Sequence, residues 1–190
     1  MNMVAAPEVY EAVDAKVMEF YLKANEIFYE ATKGKLNAVL IGNDMGSQRG
    51  LMLSPEMVRR FIIPGCKKLV EQAHSYGLKV IYHSCGSIRD VIPDLIEAGV
   101  DIIHPIQALA AGMDPKELHD EFGDKVAFCG GVDTQELLVN GTAEEVQAKV
   151  KELRTIFPTG LIISPSHEAI LPDIPPANIQ ALFDEATKIY

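Results

Sequence analysis

Five short apolar runs, each followed within a few residues by side chains capable of chemistry, constrain this 190-residue chain more than any other feature. They are Leu36–Gly42, Leu78–Ile81, Val100–His104, Val126–Phe128 and Gly160–Ser164. Apolar runs of this length, bounded by glycine or polar residues, read as buried strands. The segments between them have helical periodicity, and a strand that is followed by a helix returns parallel to its predecessor, because a parallel return needs a long crossover. The class is therefore α/β.

The intervening segments carry their own start and stop signals. From Pro7 to about Lys33, Val9, Val13, Val17, Phe20, Ala24, Ile27, Phe28 and Ala31 recur at three- and four-residue steps, and Gly34 stops what reads as a long amphipathic helix. Ser54-Pro55-Glu56 starts a helix that runs to about Tyr76, with Pro64 predicting a kink or two helices end to end. Further helices are expected near Ser87–Ala98, Asp114–Glu121, Thr142–Phe157 and Pro176–Lys188. Thr142 is a capping hydroxyl, and Glu144 and Glu145 suit the positive end of that helix dipole.

Asn43 and Asp44 follow the first strand, His83 and Cys85 the second, His104 and Gln107 the third, Cys129 and Asp133 the fourth, Ser166 and His167 the fifth. A barrel of parallel strands gathers all these ends at one mouth, whereas an open doubly wound sheet collects only those beside a switch point. The pattern favours the barrel. A complete eight-unit barrel takes about 250 residues, so this chain supplies only five of its units. About three are missing, and a bare strand edge invites pairing with another chain. No linker or repeat divides residues 1–190, which are expected to form a single domain.

Charge and composition exclude several classes. With 27 acidic against 17 basic residues and a net charge of -10, the chain repels phosphate backbones and is not expected to bind nucleic acid. No apolar run approaches the ~20 residues of a membrane span. Three scattered cysteines, Cys66, Cys85 and Cys129, do not make a disulfide framework, and no charged-then-apolar leader precedes them. The expectation is a soluble protein in the reducing cytoplasm.

The stretch Tyr82-His83-Ser84-Cys85-Gly86 is chemically the sharpest. Alternate residues of an extended chain share a face, so His83 and Cys85 can aim an imidazole and a thiol at one point, and nitrogen with thiolate sulfur suits zinc. Two donors do not make a site, and both residue types also occur as ordinary core. Among the rest, Cys66 reads as core, His74 and His119 as solvated helix residues, and His104 as either barrel wall or ligand. Gly130-Gly131 reads as a close backbone approach rather than a phosphate loop.

Gly42-Asn43-Asp44-Met45-Gly46-Ser47-Gln48 with Ser54-Pro55-Glu56, His83-Ser84-Cys85-Gly86, Gly130-Gly131-Val132-Asp133-Thr134-Gln135, and Ser166-His167-Glu168-Ala169-Ile170 with Pro176-Ala177-Asn178-Ile179 together resemble the uroporphyrinogen decarboxylase superfamily. That superfamily includes methyltransferases acting with corrinoid proteins. The resemblance implies a (β/α)8 TIM-type barrel of which this chain carries about the last five units. The methyltransferase branch is the more similar, since its members hold zinc with a His-x-Cys pair after a strand. Their third ligand is a cysteine at the position His167 occupies. The resemblance thus implies zinc on His83, Cys85 and His167 with one position open, Cys129 being the rival third ligand.

It further implies catalytic roles for Asp44 and Cys129, substrate contacts from Gln48, Gln107 and Asp133, and a methyl group moving between a corrinoid on a partner protein and a small-molecule thiol. Two other readings stand beside this one. Decarboxylation of a tetrapyrrole would need a basic cavity, yet only Arg49 and Arg89 lie near strand ends. Alternatively the chain is a non-catalytic subunit completing a barrel. In each case the open edge is expected to be covered by a second copy or by a partner chain.

Overall fold

In the computed structural model, which describes residues 2–189, the five apolar runs form one parallel sheet. Its strands are β1 (Ala38–Gly42), β4 (Lys79–His83), β5 (Ile102–Ile106), β6 (Ala127–Val132) and β7 (Leu161–Pro165), in that spatial order. A two-stranded hairpin, β2 (Gly46–Ser47) and β3 (Gly50–Leu51), interrupts the first crossover. The order never reverses, so the sheet has no switch point and continues as a barrel does.

The helices are α1 (Asn2–Ala5), α2 (Pro7–Ala31), α3 (Pro55–Phe61), α4 (Ile63–Ser75), α5 (Ile92–Glu97), α6 (Pro115–Phe122), α7 (Leu137–Asn140), α8 (Ala143–Ile156) and α9 (Pro176–Ala186). Ser54 accepts the Met57 N–H at the start of α3, and the Thr142–Glu145 capping box starts α8. Pro64 lies in the first turn of α4, so the expected kink is realised as two abutting helices.

Three elements depart from the sequence reading. The helix expected from Ser87 begins instead as a 3-10 turn, Arg89–Val91, ahead of α5, whose first turn holds Pro93. Strand β5 lies two residues later than expected and continues through Pro105 to Ile106. Strand β6 runs on through Gly130 and Gly131, at φ 118° and 94°. A Cβ on Gly130 would lie 2.7 Å from the Ile106 nitrogen, so bare glycine lets the two strands stay close where a side chain would part them. The hairpin and α7 had no signature strong enough to anticipate.

The two sheet faces differ sharply. Val80, Tyr82, Ile103 and Phe128 are buried against the helices, in one core with Val58, Cys66, Val70, Ile92, Leu95 and Leu118. A second core, of Val132, Leu138, Val146, Val150, Leu153 and Leu182, lies beneath α8 and α9. On the other face, Leu40, Ile81, Ile102 and Ala127 stand in register across four strands, with Ile162 on β7 beyond them. Leu40 is 60% exposed and Ile162 49%. In a closed barrel these positions form the packed interior.

Helix α2 repeats this pattern. It packs through Met18 and Tyr29, both buried, and through Tyr10, whose ring meets Phe61 edge-on at 5.2 Å. Val9, Val13, Val17, Phe20, Ile27 and Phe28, the residues whose spacing announced the helix, point away from the core and are exposed.

Candidate metal centre

His83 is the last residue of β4 and shares the open face with Ile81. Opposite it in register is Gly42, where a Cβ would approach His83 Cβ to 2.7 Å and the backbone oxygen more closely still. Glycine therefore permits the chain leaving β1 to cross beside the end of β4 and deliver Asp44. Asp44 Oδ1 accepts the Cys85 N–H at 2.9 Å, while the Met45 N–H donates to Ser84 Oγ at 2.9 Å. Gly46 and Gly86 lock these two loops together. A Cβ on Gly86 would sit 2.6 Å from Gly46 C and from Ser47 O.

Four donors converge on the end of β4. His83 Nε2 lies 3.4 Å from Asp44 Oδ1, 3.6 Å from Cys85 Sγ and 3.8 Å from Glu168 Oε2, and Cys85 Sγ is 3.8 Å from the same Glu168 oxygen. A ring nitrogen of His167 lies within 4.8 Å of both Cys85 and Glu168 donor atoms. Cys85 thus belongs to two overlapping groups, Asp44–His83–Cys85 and Cys85–His167–Glu168. Tetrahedral zinc, at ordinary bond lengths to nitrogen, oxygen and sulfur, spaces its ligands about 3.4–3.6 Å apart. The donor chemistry fits, and the separations of 3.4–3.8 Å come within a few tenths of an ångström of that spacing.

The proton positions sort the histidines. His167 Nδ1 accepts the Ala169 N–H at 3.1 Å, which leaves a neutral His167 with its proton on Nε2, 3.5 Å from Glu168 Oε2. His83 has its Nδ1 2.8 Å from His104 Nδ1, leaving Nε2 to face the other donors. Burial pushes His104 below its ordinary pKa, and the neighbouring His83 adds to this.

The setting of the Cys85 thiol is acidic. Burial, then the negative charges of Asp44 and Glu168, push Cys85 up to about 12. Glu168 is held below its ordinary value by its own backbone N–H and by His167 and His83. A bound cation reverses the preference of such a thiol, since a coordinated sulfur is deprotonated outright.

The match to known proteins is extensive: residues 3–189 fit the sequence profile of the family described as Uroporphyrinogen decarboxylase (URO-D). The chain belongs to the URO-D family. It is similar in structure to a methyltransferase from Methanosarcina mazei, with a TM-score of 0.65 and 18% identity over 95% of this chain. The chain spans 53% of that protein's length, and its fold is the corresponding part of a TIM-type barrel. No functionally curated sequence matches it.

The other residues singled out in this URO-D chain lie around the centre in different capacities. Cys129 is buried on β6 with its sulfur 3.4 Å from Ser164 Oγ, and belongs to neither donor group. Burial raises its pKa, partly offset by the Ser164 hydrogen bond. Gln107 is buried, and its Oε1 accepts the Gly86 N–H at 2.9 Å and Gln48 Nε2 at 3.0 Å, tying the third strand end to the loops that hold Asp44 and Cys85. Asp133 accepts the N–H groups of Gln135, Glu136 and Leu137 at 2.7–3.1 Å. Its carboxylate shapes the turn into α7.

Glu168 is the site residue that sequence reasoning left without a role. Its signal was present, since it adjoins His167 after the fifth strand, but an acidic residue beside a histidine is common in any loop. Cys66 is core as expected, with burial pushing its thiol up to about 12. His74 bonds Asp101 at 2.7 Å rather than being merely solvated, and His119 rests edge-on against Phe157.

Proposed function

We propose that this chain carries the zinc centre of a URO-D-family enzyme that moves a methyl group between a corrinoid and a thiol. The observation that carries this reading is the cluster of His83 Nε2, Cys85 Sγ and Glu168 Oε2 at mutual separations of 3.6–3.8 Å, with Asp44 Oδ1 3.4 Å from His83. His83 and Cys85 would hold the ion from rigid positions at the end of β4. Asp44 and Glu168, each with 55% of its side chain exposed, are the ligands a substrate could most readily displace. Zinc in such a site lowers the pKa of an incoming thiol so that the thiolate forms at neutral pH. His167 would steady Glu168 through its Nε2 proton, and Gln107 would keep the Asp44 and Cys85 loops in place.

Tetrapyrrole decarboxylation is less well served. Asp44 and Glu168 face the mouth, where a substrate with several carboxylates needs cations. Arg89 is already engaged by Glu117 and Glu121. Closure of the barrel is a separate requirement. The exposed Leu40–Ile162 face and the exposed stripe of α2 call for about three further βα units to complete the eight, and we propose that a partner polypeptide or further chain supplies them.

The test is metal analysis of the purified chain with a methylcobalamin-to-thiol transfer assay. About one zinc per chain is expected, abolished by Cys85→Ser without loss of cooperative unfolding. Unchanged zinc content in Cys85→Ser would refute this ligand set. Decarboxylation of a porphyrinogen without added metal would favour the other reading.

A further inference from the structure

We infer that His104 is a positioning residue of the metal centre: its Nδ1 accepts a hydrogen bond from the N–H that His83 must carry on Nδ1 for the Nε2 lone pair to face Cys85, Asp44 and Glu168. This rests on the metal-binding reading above, but it concerns a residue outside both donor groups.

The strands impose the pairing. His83 and His104 are register partners on adjacent parallel strands, and the Ser84 N–H donates to the His104 carbonyl at 2.9 Å. The imidazoles are 5.0 Å apart between centroids and meet nitrogen to nitrogen at 2.8 Å, a separation at which one proton lies between them. Two neutral arrangements satisfy that bond. In one, His104 donates and His83 carries its second-nitrogen proton on Nε2, directed at the carboxylates. In the other, His83 donates and His104 carries its proton on Nε2.

Only the second leaves an electron pair for a cation. Passing from the first to the second releases a proton from His83 Nε2, moves one across the 2.8 Å bond and takes one up on His104 Nε2. The neutral pair thus changes tautomer with no net gain or loss of protons. A rigid donor, such as a backbone N–H, would hold His83 in the non-binding form. Ala169 does this to His167, through the 3.1 Å bond to Nδ1.

The acceptor's neutrality matters too. A histidine ligand commonly donates its other N–H to a carboxylate, which makes the ligand more basic. Here Asp44, Glu168 and a Cys85 thiolate already contribute negative charge, and a fourth anion behind His83 would leave a zinc ion too well neutralised to attract a thiolate. His104 supplies the acceptor without the charge.

The experiment compares zinc affinity, by competition with a chromophoric chelator, in wild type, His104→Phe and His104→Asn, with thermal unfolding as the check on folding. Loss of this acceptor is expected to weaken zinc binding about 10- to 100-fold in His104→Phe, and the amide oxygen of His104→Asn should restore most of it. Equal affinity in wild type and His104→Phe would overturn the inference while leaving the metal centre intact, as would an Asn variant as weak as the Phe variant. Long-range proton–nitrogen NMR of the metal-free protein provides an independent arm: the His83 ring nitrogen signals should change in His104→Phe. If wild type binds no zinc, the proposed function fails, and unchanged His83 signals would overturn the pairing as well.

Discussion

Replacing Gly86 with alanine tests whether the loops that carry Asp44 and Cys85 are locked as tightly as the geometry requires. Gly86 has φ 81°, and Gly77, at the end of α4, has φ 74°. An L side chain in that left-handed region costs about 1–2 kcal/mol, so backbone strain is nearly the same at both positions. Their surroundings are not. Around a Cβ at Gly77 nothing lies within 4 Å, whereas at Gly86 it would meet Gly46 C and Ser47 O at 2.6 Å and Gly46 O at 2.8 Å. These are backbone atoms that no rotamer change can move aside. Relieving that overlap adds about 1–3 kcal/mol, the ordinary cost of overpacking. Gly77→Ala should therefore lose about 1–2 kcal/mol and Gly86→Ala about 2–5 kcal/mol, measured by urea unfolding with linear extrapolation. Zinc affinity should fall only in Gly86→Ala, because only there does the loop bearing Cys85 shift against Asp44. Equal destabilisation of the two variants would refute the interlock.

Acid sensitivity should centre on Asp101. Burial acts to raise its pKa, but hydrogen bonds from Lys79, His74 and the Val80 N–H outweigh this and hold the carboxyl below its ordinary value. The stability it supplies is complete above the unfolded value of about 3.9 and fades as pH falls through the lower folded value. Asp101→Asn should flatten the fall in unfolding free energy below about pH 4, and an unchanged acid slope would count against this carboxylate. The open sheet face is tested by Leu40→Glu, expected to alter the stability of this chain by no more than about 0.5 kcal/mol. Ile103→Ala on the helix-covered face should cost about 2–5 kcal/mol. Equal losses would mean that the open face is covered in solution.

Much of the fold was legible because the five sheet strands and the longer helices announce themselves locally. The run Val126–Phe128 predicts β6, and Thr142 with Glu145 marks the start of α8. What could not be read was decided by partners remote in sequence. Glycine normally ends a strand, yet β6 continues through Gly130 because the Ile106 backbone lies too close for any side chain. The apolar spacing of α2 correctly predicted a helix, but periodicity says only that a stripe exists, not what lies against it. The core side of α2 is the one bearing Met18 and Tyr29, and the stripe of Val9, Val13 and Val17 faces outward. That outward stripe and the uncovered Leu40 and Ile162 tell the same story as the strand count: the chain's burial pattern belongs to a larger barrel.

The site divides along a different line. Spacing brought His83 and Cys85 together, since both lie at one strand end, and the family resemblance added His167 from another. Neither kind of reasoning distinguishes one ring nitrogen from the other. That difference rests on what each Nδ1 meets: His104 Nδ1 at 2.8 Å, which can accept as well as donate, in one case, and the Ala169 N–H in the other. The first partner can accept a proton and the second can only donate one. Under the proposed reading, the same residue type would serve as a ligand in one loop and as a hydrogen-bond donor to Glu168 in the next, with the carboxylate taking the place that the resemblance gave to His167.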